Sequence, residues 1–152
     1  MIGFRIDKAK GMFFDRRAVM SAADQATRRV LSKFGAYVRR GAKSSIRKRK
    51  RASLPGRPPS SHTGLLKRFI YFGYDPSRRS VVIGPARLNT TVGDAPPALE
   101  YGGSTRIVTR RWVRGRRVPV IQRTRIESRP FMGPAFEREQ PKLPAMWADS
   151  IK

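Results

Sequence analysis

The chain has 152 residues, with 34 lysines and arginines against 10 acids, for a formal net charge of +24 at neutral pH. It contains no cysteine, which excludes a disulfide framework, a thiolate metal site and a cysteine nucleophile together. No acid occurs between Asp24 and Asp75 or between Glu100 and Glu127, so a polyanion or an acidic protein surface is the expected complement of those windows.

A single domain spanning 1–152 is expected at this length. Its 39% hydrophobic content lies below the ordinary ~45–50%, and 13 glycines with 12 prolines favour a modest core with extensions. The opening Met1-Ile2-Gly3-Phe4-Arg5 has no apolar signal region, and no apolar run approaches about 18 residues. Neither export by that route nor a membrane span is expected.

In chain order, the first predicted element is a helix from about Asp15 to about Ile46. Val19, Ala22, Ala23, Ala26, Val30, Phe34, Tyr37, Val38 and Ala42 recur at helical spacing and form one apolar stripe. Arg16, Arg17, Asp24, Arg28, Arg29, Lys33, Arg39 and Arg40 occupy the other face, and Gly35 and Gly41 weaken the C-terminal half. The segment 47–62 follows as an extended basic loop, because like charges repel along Arg47-Lys48-Arg49-Lys50-Arg51 and Pro55, Pro58 and Pro59 oppose helix. Thr63 is placed to cap a short helical turn at Leu65–Arg68.

The middle of the chain reads as β. Phe69–Tyr74 and Ser80–Ile83 form a hairpin about the turn sequence Asp75-Pro76-Ser77-Arg78-Arg79. Ala98-Leu99-Glu100-Tyr101 begins a third strand, which Gly102-Gly103 ends or bulges. A second, arginine-rich hairpin spans 105–125 around Arg114-Gly115-Arg116, with Pro119 arguing for an edge position. A late helix begins near Pro134, with Phe131 and Phe136 anchoring it to the sheet, and the segment 134–152 ends in a tail carrying Trp147. The fold class is α+β, a long N-terminal helix on an antiparallel sheet with a projecting basic loop and hairpin.

Catalytic chemistry is poorly supplied. His62 is the only histidine, no acids are spaced as a catalytic or metal-binding group, and no phosphate-binding glycine motif is present. No enzyme, cofactor or metal is expected. Arg47, Lys48, Arg49, Lys50, Arg51, Arg110, Arg111, Arg114, Arg116 and Arg117 are the candidate DNA or partner contacts, since arginine and lysine bind backbone phosphates without reading sequence. Tyr37 and Trp112 are available for stacking or packing, with cross-strand packing favoured for Trp112.

Five blocks occur in order: Leu54-Pro55-Gly56-Arg57-Pro58-Pro59, His62-Thr63-Gly64-Leu65-Leu66, Val81-Val82-Ile83-Gly84-Pro85, Ala98-Leu99-Glu100-Tyr101-Gly102-Gly103, and Arg129-Pro130-Phe131-Met132-Gly133-Pro134-Ala135-Phe136-Glu137. Through this order, over roughly 15 to 140, the chain resembles the head–tail joining (neck, tail-completion) proteins of tailed bacteriophages. The unusually basic loop and the arginine-rich hairpin depart from that pattern. The resemblance implies a virion structural protein, made in the host cytoplasm, that forms a homo-oligomeric ring at the neck. Its implied partners are portal or adaptor and tail-tube or tail-terminator proteins, with non-specific contact to packaged DNA. Glu100, Arg129 and Phe131 are the candidate interface or structural residues. Glu100 sits at the expected strand end, where it could meet an arginine of a neighbouring subunit, and Arg129 is near enough in sequence to pair with Glu127. The alternative reading is a basic nucleic-acid-binding protein of ribosomal or nucleoid type.

Overall fold

The computed structural model describes residues 16–86, 95–148 and 150; the expected helix start at Asp15 and the chain's extremities lie outside the described residues. Helix α1 (Arg16–Ser45) buries Ala26, Val30, Phe34, Gly35, Val38, Gly41 and Ala42, a stripe continued by Ile46. The predicted stripe began earlier, but Val19 is 49% exposed, so burial starts at Ala26. The two glycines do more than loosen the helix. A Cβ on Gly35 would stand 2.8 Å from Val81 Cγ2 and 2.9 Å from Phe72 Cδ2, which marks a close approach of helix to hairpin.

That hairpin is β3 (Ile70–Asp75) and β4 (Ser80–Pro85), antiparallel and in the register Asp75↔Ser80. Its turn is built as the sequence suggests: Asp75 Oδ1 accepts from Ser77 N at 2.9 Å and Ser77 Oγ at 2.6 Å. Arg79 pairs with Asp24 of α1 at 3.1 Å. Arg39 Nε donates to Ile70 O at 2.8 Å, so this arginine of the expected solvent face instead ties helix to strand.

Before the hairpin, two short strands, β1 (Arg47–Lys48) and β2 (Ser60–Ser61), pair in parallel and close the base of the basic loop. A parallel pair needs a crossover of about a dozen residues, and the loop supplies it. The short helix α2 (Leu65–Arg68) begins after Gly64, whose φ of 78° is left-handed. Thr63 is therefore not the cap; its hydroxyl only accepts a long 3.4 Å bond from Leu65 N.

The expected strand at Ala98–Tyr101 is a helix, α3 (Ala95–Tyr101). Pro96 and Pro97 fall in its first turn, where the missing N–H groups have no intrahelical acceptor to lose. After Gly102 (φ 77°) and Gly103 (φ 127°) come β5 (Gly103–Val113) and β6 (Arg116–Ile126). Among the described residues they pair only with each other. Among the described residues, the single sheet expected from the sequence is thus three separate two-stranded sheets, of which β3–β4 packs on α1 and β5–β6 is joined to α3 at its base.

Helix α4 (Gly133–Glu139), a 3-10 turn (Gln140–Lys142) and α5 (Leu143–Ala148) complete the described chain, so the segment with Trp147 is helical. Phe136 meets Phe34 edge-to-face at 5.6 Å between centroids, and α4 therefore packs on α1 instead of on a sheet. The core gathers Phe34, Val38, Ala42, Ile46, Ile70, Phe131 and Ala135. The fold is α+β, with a long N-terminal helix, antiparallel hairpins and a late helix at the C-terminal end.

Candidate functional site

The β5–β6 hairpin is a ribbon of 11 residues per strand, about 37 Å long at ~3.4 Å per residue. Every residue from 110 to 123 is exposed. The turn is Arg114-Gly115, both with positive φ (48° and 75°), the two-residue geometry that follows the strands' twist. The register divides the side chains between two faces. One face carries Arg106, Arg110, Arg117, Arg123 and Arg125 around Val108, Trp112 and Ile121. The other carries Ile107, Val113, Val118, Val120 and Ile126 with three threonines, and only Arg111 and Arg116 in charge.

Of the predicted contacts, Arg110 and Arg117 thus share the arginine face, Arg111 and Arg116 lie on the opposite face, and Arg114 is at the tip. Arg117 stacks over Trp112 at 5.2 Å, directly across the pair, and Trp112 remains 64% exposed. Arg106 and Arg123 stand opposite one another, an arrangement that is destabilising without counter-charge. Among the described residues no carboxylate pairs with a ribbon arginine.

The second basic segment, Arg47 to Arg51, is exposed throughout. Its loop is nonetheless pinned at several points. Gly56 N donates to Ser128 O at 2.8 Å, Arg57 N to Leu54 O at 3.2 Å, and Arg129 Nε to Ser53 O at 2.9 Å.

Glu100, Arg129 and Phe131 come together where loop and ribbon are rooted. The Glu100 carboxylate accepts from Phe131 N (2.9 Å), Met132 N (3.0 Å) and Gly133 N (2.6 Å). It neutralises the free N–H groups at the start of α4 and so acts within the chain, on a helix and not at a strand end as expected. Arg129 does not reach the Glu127 carboxylate; its Nη1 donates to the Glu127 backbone carbonyl at 3.3 Å. Its own N–H donates to Leu99 O at 2.6 Å, closing the end of α3. Phe131 is 1% exposed and belongs to the core.

Further cations cluster on α1, where burial and the neighbouring charges of Arg39 and Lys67 pull the Lys43 ammonium below the usual lysine range. Arg40 lies 5.7 Å from the centre of the Tyr37 ring, so Tyr37 is occupied within its own helix. His62 is exposed, and among the described residues no group of three or more histidines and acids could hold a metal ion. No described helix is long and apolar enough to cross a membrane. Sequence reasoning missed Ser53 and Arg57 as members of the basic loop's pinned structure, although Arg57 lies inside the Pro/Gly block. No protein family, curated protein or solved structure matches the chain.

Proposed function

We propose that the chain is a non-enzymatic structural component of a tailed-phage virion. In this reading it forms a homo-oligomeric ring at the neck, joining the portal or adaptor to the tail around the DNA path. The observation that carries the proposal is the β5–β6 ribbon, exposed on both faces from 110 to 123 and, among the described residues, unpaired along both outer edges and uncompensated in charge. A ribbon of this kind needs a neighbour, and a closed ring supplies one to every copy. The five sequence blocks whose order resembles that of neck proteins support the same reading. Three of them, at Leu54–Pro59, Ala98–Gly103 and Arg129–Glu137, meet in one hydrogen-bonded joint through Glu100, Arg129 and the Gly56–Ser128 bond.

A second reading, a nucleic-acid-binding protein of ribosomal or nucleoid type, is favoured by one specific observation. Trp112 is exposed on the arginine face, the combination used to stack bases while neutralising phosphates. Light scattering and negative-stain imaging at physiological salt, with and without purified portal and adaptor rings, separate the two. The neck reading expects a ring or a layer mounted on those rings; a chain that stays monomeric and joins neither overturns it.

A further inference from the structure

A cavity of about 520 Å³ opens between the end of α1 and the basic loop. Its wall includes Arg47, Arg49 and Arg57 with Ser44, Ser45 and Ser53, and it contains no acid. Lys48, Lys50 and Arg51 are not part of it. Of Arg47-Lys48-Arg49-Lys50, the wall thus takes the two arginines and leaves out the two lysines, although β1 itself covers only Arg47 and Lys48.

We infer that this cavity is a binding site for a phosphate group. The guanidinium fork donates paired hydrogen bonds to phosphate oxygens, whereas lysine acts as a point charge, so the residue type lining the wall is the one suited to that ligand. The Ser53 hydroxyl supports the assignment. It is buried, makes no hydrogen bond, and is the sole such side-chain atom found among the described residues. A buried hydroxyl without a partner is destabilising unless something completes it. Its backbone is fixed by Arg129, which bonds the Ser53 carbonyl, so the loop presents Ser53 in one place before any ligand arrives.

The end of α1 contributes partial negative charge, roughly half an elementary unit. Ser44 and Ser45 offset part of it by donating to the Gly41 and Ala42 carbonyls, each at 2.8 Å. Three full positive charges, with no ion-pair partner among the described residues, outweigh the remainder. A free phosphate brings nearly two charges and at least three acceptor oxygens, where a carboxylate brings one charge and two oxygens. A backbone phosphodiester carries one charge per group, so a nucleic acid would compensate the three arginines through more than one of its phosphates.

The inference rests on the basic loop being a contact segment and is independent of ring formation. Calorimetric titration of the full chain with inorganic phosphate, at fixed ionic strength, tests it through two charge-matched variants. Arg47→Gln/Arg49→Gln is expected to weaken a saturable one-to-one site by about tenfold or more, the loss of at least one charge-assisted bond. Lys48→Gln/Lys50→Gln is expected to change it by less than about twofold, since screened charge alone remains. Ser53→Ala is expected to weaken it with the melting temperature held or raised.

A labelled duplex DNA distinguishes the sources of the phosphate. A larger loss with the arginine pair than with the lysine pair assigns the site to a nucleic-acid backbone. Equal losses on DNA, with phosphate binding still separated, assign it to a free phosphate compound. Equal weakening of phosphate binding by both pairs, the absence of saturation, or equal binding of glutamate overturns the site. Failure of ring assembly with phosphate binding intact overturns the neck reading alone.

Discussion

At the scale of single residues, the carboxylate of Glu100 is the most consequential group in the joint. Charge-assisted hydrogen bonds contribute about 1.5–3 kcal/mol, and Glu100→Ala leaves three N–H groups at the start of α4 without their acceptor. A loss of about 2–3 kcal/mol in denaturant unfolding is expected, with Glu100→Gln intermediate because it keeps one acceptor oxygen. Glu139 offers a pH test. It is buried, and chiefly its bond from Lys142 (2.7 Å), opposed by burial and helped by Arg138, holds its carboxyl below the usual glutamate range. The folded state then binds fewer protons than the unfolded chain in the acid range. Its stabilisation is present above the ordinary glutamate value and is lost as pH falls through the lowered one. Glu139→Gln should flatten the acid limb of a stability-against-pH curve; an unchanged limb refutes the coupling.

At the scale of elements, the two helix glycines should respond oppositely to alanine. Gly35→Ala puts a methyl against Val81 and Phe72, both packed side chains, and should destabilise by about 1–3 kcal/mol despite better helix propensity. At Gly41 the nearest obstacle is the far end of Arg138, an exposed and movable guanidinium, so Gly41→Ala should be neutral or stabilising by up to about 1 kcal/mol. The ribbon turn offers a third case. Arg114 occupies a left-handed position that costs a non-glycine residue about 1–2 kcal/mol, and asparagine suits the turn better. Arg114→Asn should raise the melting temperature while weakening polyanion or partner binding; if both rise, the arginine has no contact role.

Elements with their own periodicity were legible in the sequence. The stripe from Ala26 to Ala42, the Asp75–Arg79 turn and the ribbon all report local physics. What could not be read lies in bonds across long separations. Glu100 meets its partners 31 to 33 residues later, and Arg129 holds Ser53 across 76 residues. Ala98–Tyr101 reads as a strand from its four residues alone, whereas Pro96 and Pro97 open a helix there, since the first turn accepts prolines. The candidate site was half legible: which residues are basic is plain, but the faces they share depend on a register fixed only by the Arg114-Gly115 turn.

At the scale of the whole molecule, the basic segments should be separable from the fold. Removing charge from Arg47, Lys48, Arg49, Lys50 and Arg51 together should leave thermal melting nearly unchanged, since exposed substitutions usually shift stability within ~0.5 kcal/mol. Assembly or DNA retention per folded molecule should fall. A collapse in melting with assembly intact would make the loop structural. Should DNA be the ribbon's partner, replacing Arg114, Arg116 and Arg117 by glutamine should flatten the dependence of log K on log salt by up to about 2.7, from ~0.9 per phosphate. An unchanged slope with lost binding to a neck protein would place these arginines in protein docking.

The open edges of β5 and β6 give ionic strength two opposed effects. At low salt, mutual repulsion of the arginines keeps one ribbon from pairing with another, so the same charges that attract a partner also guard the isolated chain. Near 1 M salt the screening length falls to about 3 Å, and that guard is lifted just as partner attraction fades. Hydrodynamic radius should therefore grow with added salt while partner complexes dissociate, so conditions chosen to strip nucleic acid from this protein are also those that invite it to self-associate.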